Sequence, residues 1–105
     1  MLEMAILLKA ERDKYSLNML SDDRVLFYGL SKMVEIIGEA AYMTTKEYKQ
    51  SHPQLPWRQI EGMRHILVHG YFSISPEVLW DVIQNDIPNL IPILENYLNE
   101  FNPEG

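Results

Sequence analysis

Apolar residues recur at helical spacing through most of this chain, and this periodicity limits the folds that are open to it. Between Leu26 and Ala40 the apolar positions are separated by four, three, four and three residues, the spacing of one helix face. Similar patterns mark segments 57–67 and 79–101, whereas no segment alternates polar and apolar residues as a half-buried strand does. The sequence therefore predicts an all-α fold, an up-down bundle of four to five helices.

Helix boundaries are marked by residues that cap or end helices. A first helix is predicted over about residues 2–15. Ser21, which has two acids directly after it, predicts the start of the next helix. A short helix is predicted over 44–51. Gly70 is predicted to end the helix that begins near Trp57.

Prolines and glycines modify this pattern. The run 75–77, Ser-Pro-Glu, is a strong signal for a helix start. Pro88 and Pro92 are predicted to kink or split the last helix, because each removes an interior hydrogen bond. Gly29 and Gly38 lie inside a predicted helix at a cost of about 1 kcal/mol each relative to alanine. We therefore expect close helix packing at both glycines.

The length and composition indicate one soluble domain over residues 1–105. The chain is 47% hydrophobic and 23% charged, which argues against disorder. It has no cysteine, which excludes disulfides and thiolate metal sites and suits a reducing cytoplasm. No apolar run approaches the roughly 18 residues of a membrane span. A cytoplasmic location is expected.

The charge is distributed unevenly. Residues 1–64 hold nine basic and nine acidic residues, whereas residues 65–105 hold six acids and no lysine or arginine. With a net charge of −6, the overall field does not attract nucleic acid, so any RNA contact would have to be local. The acidic segment 65–105 equally suits a basic protein partner.

One short stretch suggests chemistry. Arg64, His69 and Tyr71 form the pattern Arg-x4-His-x-Tyr around the helix-ending Gly70. Arginine offers a planar cationic fork for phosphate oxygens, and histidine can exchange a proton near neutral pH. Regular helix geometry places the side chains of Arg64 and His69 about 140° apart around the helix axis. A loosened last turn would bring them to the same side. The alternative is a salt-bridged surface arginine and a histidine that interacts with the helix dipole.

A metal site is the competing interpretation. Glu61, His65 and His69 recur every four residues, and paired histidines at this spacing can chelate zinc or iron. Three ligands along one straight helix cannot surround a metal well, so we expect no metal. His65 could instead lie on the helix flank, bonded to Glu61. His52 is assigned no role.

Aromatic side chains could stack on nucleic-acid bases or pack in the core. Most lie at or beside helical core positions, so packing is the prediction for this set: Tyr28, Tyr42, Trp57, Trp80 and Tyr97.

Several consecutive segments together resemble one known family. The chain is similar to the HEPN superfamily, and specifically to its HepT-like (DUF86) members, from Ile36 onward. The matching segments are 35–41 (EIIGEAA), 52–60 (HPQLPWRQI), 62–64 with 69–72 (GMR and HGYF), 79–83 (LWDVI) and 85–88 (NDIP). The N-terminal part to about Leu20 is shorter than the family pattern, and Gly29 is atypical.

The resemblance implies a homodimer of helical bundles whose Arg-x4-His motifs face a shared cleft. Similar proteins are ribonuclease toxins that cut RNA without a metal or other cofactor. By this analogy Arg64 would bind and polarise the phosphate and His69 would assist proton transfer. The residues expected to support them are Glu39, Arg58 and His65.

The resemblance also implies a partner. Toxins of this type VII-like toxin–antitoxin class are neutralised by a cognate nucleotidyltransferase antitoxin, in some members by transfer of AMP to the motif tyrosine, here Tyr71. The alternative function is a non-catalytic helical subunit that binds and regulates a minimal nucleotidyltransferase.

Overall fold

Helices account for nearly all of the regular structure in the computed structural model, which describes residues 1–70 and 74–101. Four long helices alternate with three helices of six residues, and a π-helical segment precedes the last. In chain order these are α1 Leu2–Arg12, α2 Leu17–Asp22, α3 Arg24–Tyr42, α4 Lys46–Ser51, α5 Trp57–His69, α6 Pro76–Asp81, the π-helical segment Val82–Asp86 and α7 Ile87–Phe101. No strand occurs in these two ranges, so the predicted all-α class is confirmed.

The core lies between the long helices. Helix α3 packs along α5, and α1 packs against both α7 and α3. From α3 the core receives Phe27, Leu30, Val34, Ile37 and Ala41. This buried face is rotated slightly from the predicted one, because Leu26 and Met33 are only partly buried. Among the described helices, none is both long and apolar enough to cross a membrane.

Side-chain caps begin four of the helices. Thr45 and Ser75 accept the N–H groups of Tyr48 and Val78 at 3.2 Å, and the cap at Ser75 was predicted. Helix α4 begins at Lys46, two residues after the predicted start. The expected start at Ser21 is wrong, because Ser21 lies inside the short helix α2, which Ser16 caps instead.

Asp23 starts the long helix α3. Its backbone is extended, which ends α2, and its carboxylate accepts the N–H of Leu26 at 3.1 Å. Helix α1 ends at Arg12, three residues before the predicted limit, and the Lys14 ammonium donates back to Glu11 at 3.1 Å.

The two prolines of the last predicted helix have different effects. The chain stays helical from Pro76 to Phe101, so Pro88 does not split the predicted helix. The hydrogen bonding changes instead to that of a π-helix over Val82–Asp86, directly before Ile87 and Pro88. Pro88 has no N–H to donate to the carbonyl of Gln84, four residues earlier. Arg12 Nη1 donates to that carbonyl instead, at 2.7 Å. Pro92 lies inside α7, which continues past it.

Candidate functional site

Helix α5 carries the described residues of the predicted motif. It begins after Pro56 and ends at His69, and the N–H of Gly70 donates to the carbonyl of Ile66 at 2.7 Å. Gly70 therefore ends the helix as predicted, with φ −144°, so the left-handed conformation is not used. Tyr71 lies outside the described residues.

The side chain of Arg64 is held on two sides by α3. Its Nε donates to Glu39 Oε2 at 2.8 Å, and its guanidinium carbon lies 4.2 Å from the centre of the Tyr42 ring. The hydrogen bond to Glu39 is the main reason that the pKa of Arg64 is raised, while burial acts in the opposite direction. Arg64 is therefore a permanently charged group with a fixed orientation. Its Nη1 and Nη2 groups are not needed for either contact.

Gly38 allows α3 and α5 to approach each other beside Arg64. A Cβ at position 38 would collide with the Cβ of Arg64 and come within 3.2 Å of its Cα. Because that Cα is backbone, rotation of the arginine side chain could not relieve the contact. The predicted close packing at Gly38 is confirmed. The same prediction is wrong for Gly29, since nothing lies within 4 Å of a Cβ built at that position.

His69 lies at the end of the same helix but points elsewhere. Helix α5 is regular through His69, so the loosened last turn that would bring His69 and Arg64 together is absent. Arg64 and His69 therefore stay about 140° apart around the axis and about 7.5 Å apart along it. His69 is exposed, and its ring centre is 4.8 Å from that of His65, which is also exposed. The two motif residues do not converge within one chain.

Glu61 is engaged by another helix. Its carboxylate accepts a hydrogen bond from Lys49 of α4 at 2.8 Å, and the Lys49 ammonium also lies 5.9 Å from the Trp57 ring centre. The expected bond between His65 and Glu61 is thus replaced by a salt bridge. Within residues 1–70 and 74–101, no three metal-binding side chains lie together.

Of the expected supporting residues, Glu39 contacts Arg64 and His65 contacts His69. Arg58 is exposed near the start of α5, six residues before Arg64. Sequence reasoning missed Tyr42, which was expected to pack in the core but is 53% exposed. Its spacing of four residues from Gly38 was the available signal, because residues at that spacing share a helix face.

The other aromatic residues mostly have structural contacts. Tyr97 is buried, and its hydroxyl accepts the N–H of Leu55 at 3.1 Å and donates to the carbonyl of His52 at 2.9 Å. Trp57 Nε1 donates to the same carbonyl at 2.8 Å. Packing is therefore confirmed for Tyr97 and for Trp57 and Trp80, which are partly buried against the core. The prediction is wrong for Tyr28, which is 48% exposed, as it is for Tyr42.

His52 is part of the same aromatic cluster. Its ring stacks on Tyr48 with centres 3.9 Å apart, and its Nε2 lies 2.7 Å from Glu100 Oε2. These contacts join the connector after α4 to the end of α7. They give His52 a structural role that its place before a proline did not reveal.

Comparison with known protein families identifies the family of this chain. The model of the HepT-like family, described as ribonuclease HepT-like, matches residues 1–97. The chain belongs to the HepT-like family. The match includes the N-terminal residues before Leu20, beyond the segments that carry the sequence resemblance. The predicted family is thus confirmed over most of the chain.

Several HepT-like relatives are similar over part of their length. "Probable ribonuclease HepT" of Thermococcus cleftensis is 38% identical over 65% of this chain and 62% of its own. A Caldanaerobacter subterraneus protein provisionally named an RNase is 40% identical over 65% of this chain and 61% of its own. A similarly named Methanocaldococcus jannaschii protein is 32% identical over 66% and 63%. The chain thus spans about three fifths of these relatives' length. No solved structure matches it significantly.

Proposed function

We propose that this HepT-like chain is a metal-independent endoribonuclease and the toxin of a toxin–antitoxin pair. The observation that carries the proposal is the fixed guanidinium of Arg64, held by Glu39 and Tyr42 on the helix that ends in His69. The family match and the ribonuclease names of the relatives support the same reaction class.

The proposed reaction uses Arg64 and His69 on one phosphodiester. Arg64 binds non-bridging phosphate oxygens through Nη1 and Nη2, because its Nε is occupied by Glu39. His69 accepts the proton of the 2′-hydroxyl as its oxygen attacks phosphorus. The P–O5′ bond breaks and the leaving oxygen takes a proton from solvent, to which His69 returns the proton that it accepted. The products are a 2′,3′-cyclic phosphate and a 5′-hydroxyl.

A homodimer would bring these groups to one place. Within one regular helix Arg64 and His69 point about 140° apart. Two copies with facing α5 helices would offer Arg64 of one copy and His69 of the other to the same phosphate. The shared cleft would also be locally cationic on a chain whose net charge is −6.

The proposed antitoxin is a cognate nucleotidyltransferase of the cytoplasm. In the proposed modification the Tyr71 phenol oxygen attacks the α-phosphorus of ATP and pyrophosphate leaves. Tyr71 lies two residues after His69, so an attached AMP would add bulk and negative charge beside the imidazole. Both effects would oppose the approach of RNA.

The test is cleavage of labelled RNA in the presence of EDTA. We expect activity from the unmodified protein and a loss of at least about a hundredfold in Arg64→Ala and His69→Ala. Arg24→Ala is the matched control, because Arg24 is an exposed arginine at the start of α3, outside the site. Equal activity in all four proteins would mean a contaminating nuclease and would refute the assignment of both residues.

A non-catalytic partner of the nucleotidyltransferase is the second candidate. The acidic segment 65–105, with six acids and no lysine or arginine, favours it because such a surface suits a basic partner. This candidate predicts a tight complex and no RNA cleavage by a sample whose mass shows Tyr71 unmodified.

A further inference from the structure

The ring pair formed by His65 and His69 is not explained by the proposed reaction, which uses only His69. Both side chains are exposed on successive turns of α5, with ring centres 4.8 Å apart and ring planes inclined at 55°. We propose that His65 and His69 form a two-imidazole site for Zn²⁺ or a similar divalent transition metal, and that its occupation inhibits RNA cleavage. The inhibition rests on the proposed function, whereas the metal site does not.

The separation of the two rings fits one shared ion. A zinc ion lies about 2.0–2.1 Å from a ligating imidazole nitrogen, and therefore about 3.2 Å from the ring centre. Two ring centres 4.8 Å apart then subtend an angle of about 97° at the ion. This value falls between the roughly 90° of octahedral and the roughly 109° of tetrahedral coordination.

The surroundings of the pair tolerate a cation. The positive charge of the adjacent Arg64 is offset by Glu39, whose carboxylate lies 2.8 Å away. The pair occupies the C-terminal end of α5, where the helix dipole favours positive charge. Because both rings are exposed, the remaining coordination positions can be filled by water without burial of charge.

The site is a pair, and Glu61 is not its third ligand. Glu61 lies one turn before His65, but its carboxylate is held by Lys49 at 2.8 Å. A metal would have to displace this ammonium to gain the carboxylate. The structure thus favours two protein ligands and moderate affinity over the three-ligand stripe that the sequence pattern suggests.

Metal binding would remove the proposed base. A coordinated imidazole has given its lone pair to the metal and keeps a proton on its other nitrogen, so it cannot accept the 2′-hydroxyl proton near neutral pH. Zinc should therefore stop the reaction rather than support it, which agrees with chemistry that needs no metal.

The binding test is a Zn²⁺ titration followed by calorimetry and by the NMR signals of the three histidine rings. We expect the His65 and His69 signals to move, while His52, held by Glu100, serves as the internal reference. His65→Ala and His69→Ala should each weaken binding at least about tenfold. Glu61→Gln is the matched control and should leave the affinity nearly unchanged.

The activity test compares RNA cleavage with and without Zn²⁺, each protein relative to its own metal-free rate. We expect inhibition of the unmodified protein and of Glu61→Gln, with the inhibition lost in His65→Ala. Unchanged affinity in His65→Ala, a response confined to His52, or no binding at about 1 mM Zn²⁺ would overturn the site. If the protein binds zinc through the pair but cuts no RNA, the proposed function and the inhibition fail while the metal site stands.

Discussion

At the scale of single residues, Arg64 has the most constrained surroundings of the proposed site. Its backbone lies against Gly38, its Nε is bonded to Glu39 and the face of its guanidinium covers Tyr42. The cost of a glycine inside a helix indicated that Gly38 packs closely against another helix. This signal did not identify Tyr42 as a neighbour of Arg64, because helical spacing places Tyr42 on the face of Gly38 but does not show which residue of another helix lies there.

The two glycines of α3 provide a matched pair of substitutions. Gly38→Ala should lower the free energy of unfolding by about 1–3 kcal/mol, because the new Cβ overlaps Arg64 and forces α3 and α5 apart. Gly29→Ala should raise it by up to about 1 kcal/mol, because the site is open and alanine favours helix. Urea unfolding of both variants measures these changes. The packing assignment is wrong if Gly38→Ala is as stable as Gly29→Ala.

The ring of Tyr42 should affect cleavage through the orientation of Arg64. Tyr42→Leu removes the ring face under the guanidinium and should lower kcat/KM by about fivefold, the equivalent of one exposed cation–π contact. Tyr42→Phe keeps the ring face and should retain the activity. The measurement is steady-state RNA cleavage, with urea unfolding to exclude a loss of fold. Equal kcat/KM in Tyr42→Leu and the unmodified protein would remove Tyr42 from the site.

At the scale of helices, local signals predicted some boundaries and missed others. Ser75 and Gly70 act where the sequence indicates, because each is the single strong signal in its neighbourhood. Ser21 was misleading because Ser16 and Asp23 on either side cap successive helices. The intervening helix α2 has only six residues, too few for a periodic pattern.

The π-helical segment receives a hydrogen bond from a side chain that local sequence does not reveal. The carbonyl of Gln84 cannot accept a hydrogen bond from Pro88, which has no N–H. It accepts one instead from Arg12, near the other end of the chain. No local pattern connects residues 72 positions apart. The sequence could therefore predict that Pro88 disturbs the helix. It could not predict which group donates to the carbonyl of Gln84.

A double-mutant cycle tests this contact. Arg12→Met should lower the free energy of unfolding by about 1 kcal/mol, because the carbonyl of Gln84 loses its charged donor. In a Pro88→Ala background the same change should cost less, since residue 88 then supplies an N–H for that carbonyl. Urea unfolding of the four proteins gives the coupling. Equal losses of unfolding free energy in both backgrounds would show that Arg12 stabilises only its own helix, α1, and not the region of Gln84.

At the scale of the whole molecule, the proposed site requires two copies of the chain. Arg64 and His69 diverge on one regular helix, so we predict that each phosphate is bound by Arg64 of one copy and His69 of the other. A mixture of Arg64→Ala and His69→Ala proteins, each inactive alone, should then regain part of the activity after subunit exchange. A mixture that forms mixed dimers but cuts no RNA would show that both residues act within one copy.

The chemistry of the RNA ends tests the central claim most directly. The unmodified protein would be incubated with end-labelled RNA in EDTA, and the products would be separated and treated with phosphatase. Attack by the 2′-hydroxyl, with Arg64 on the phosphate and His69 as base, predicts 2′,3′-cyclic phosphate and 5′-hydroxyl ends that are absent with His69→Ala. Products with 3′-hydroxyl and 5′-phosphate ends, or cleavage that stops in EDTA, would contradict the account.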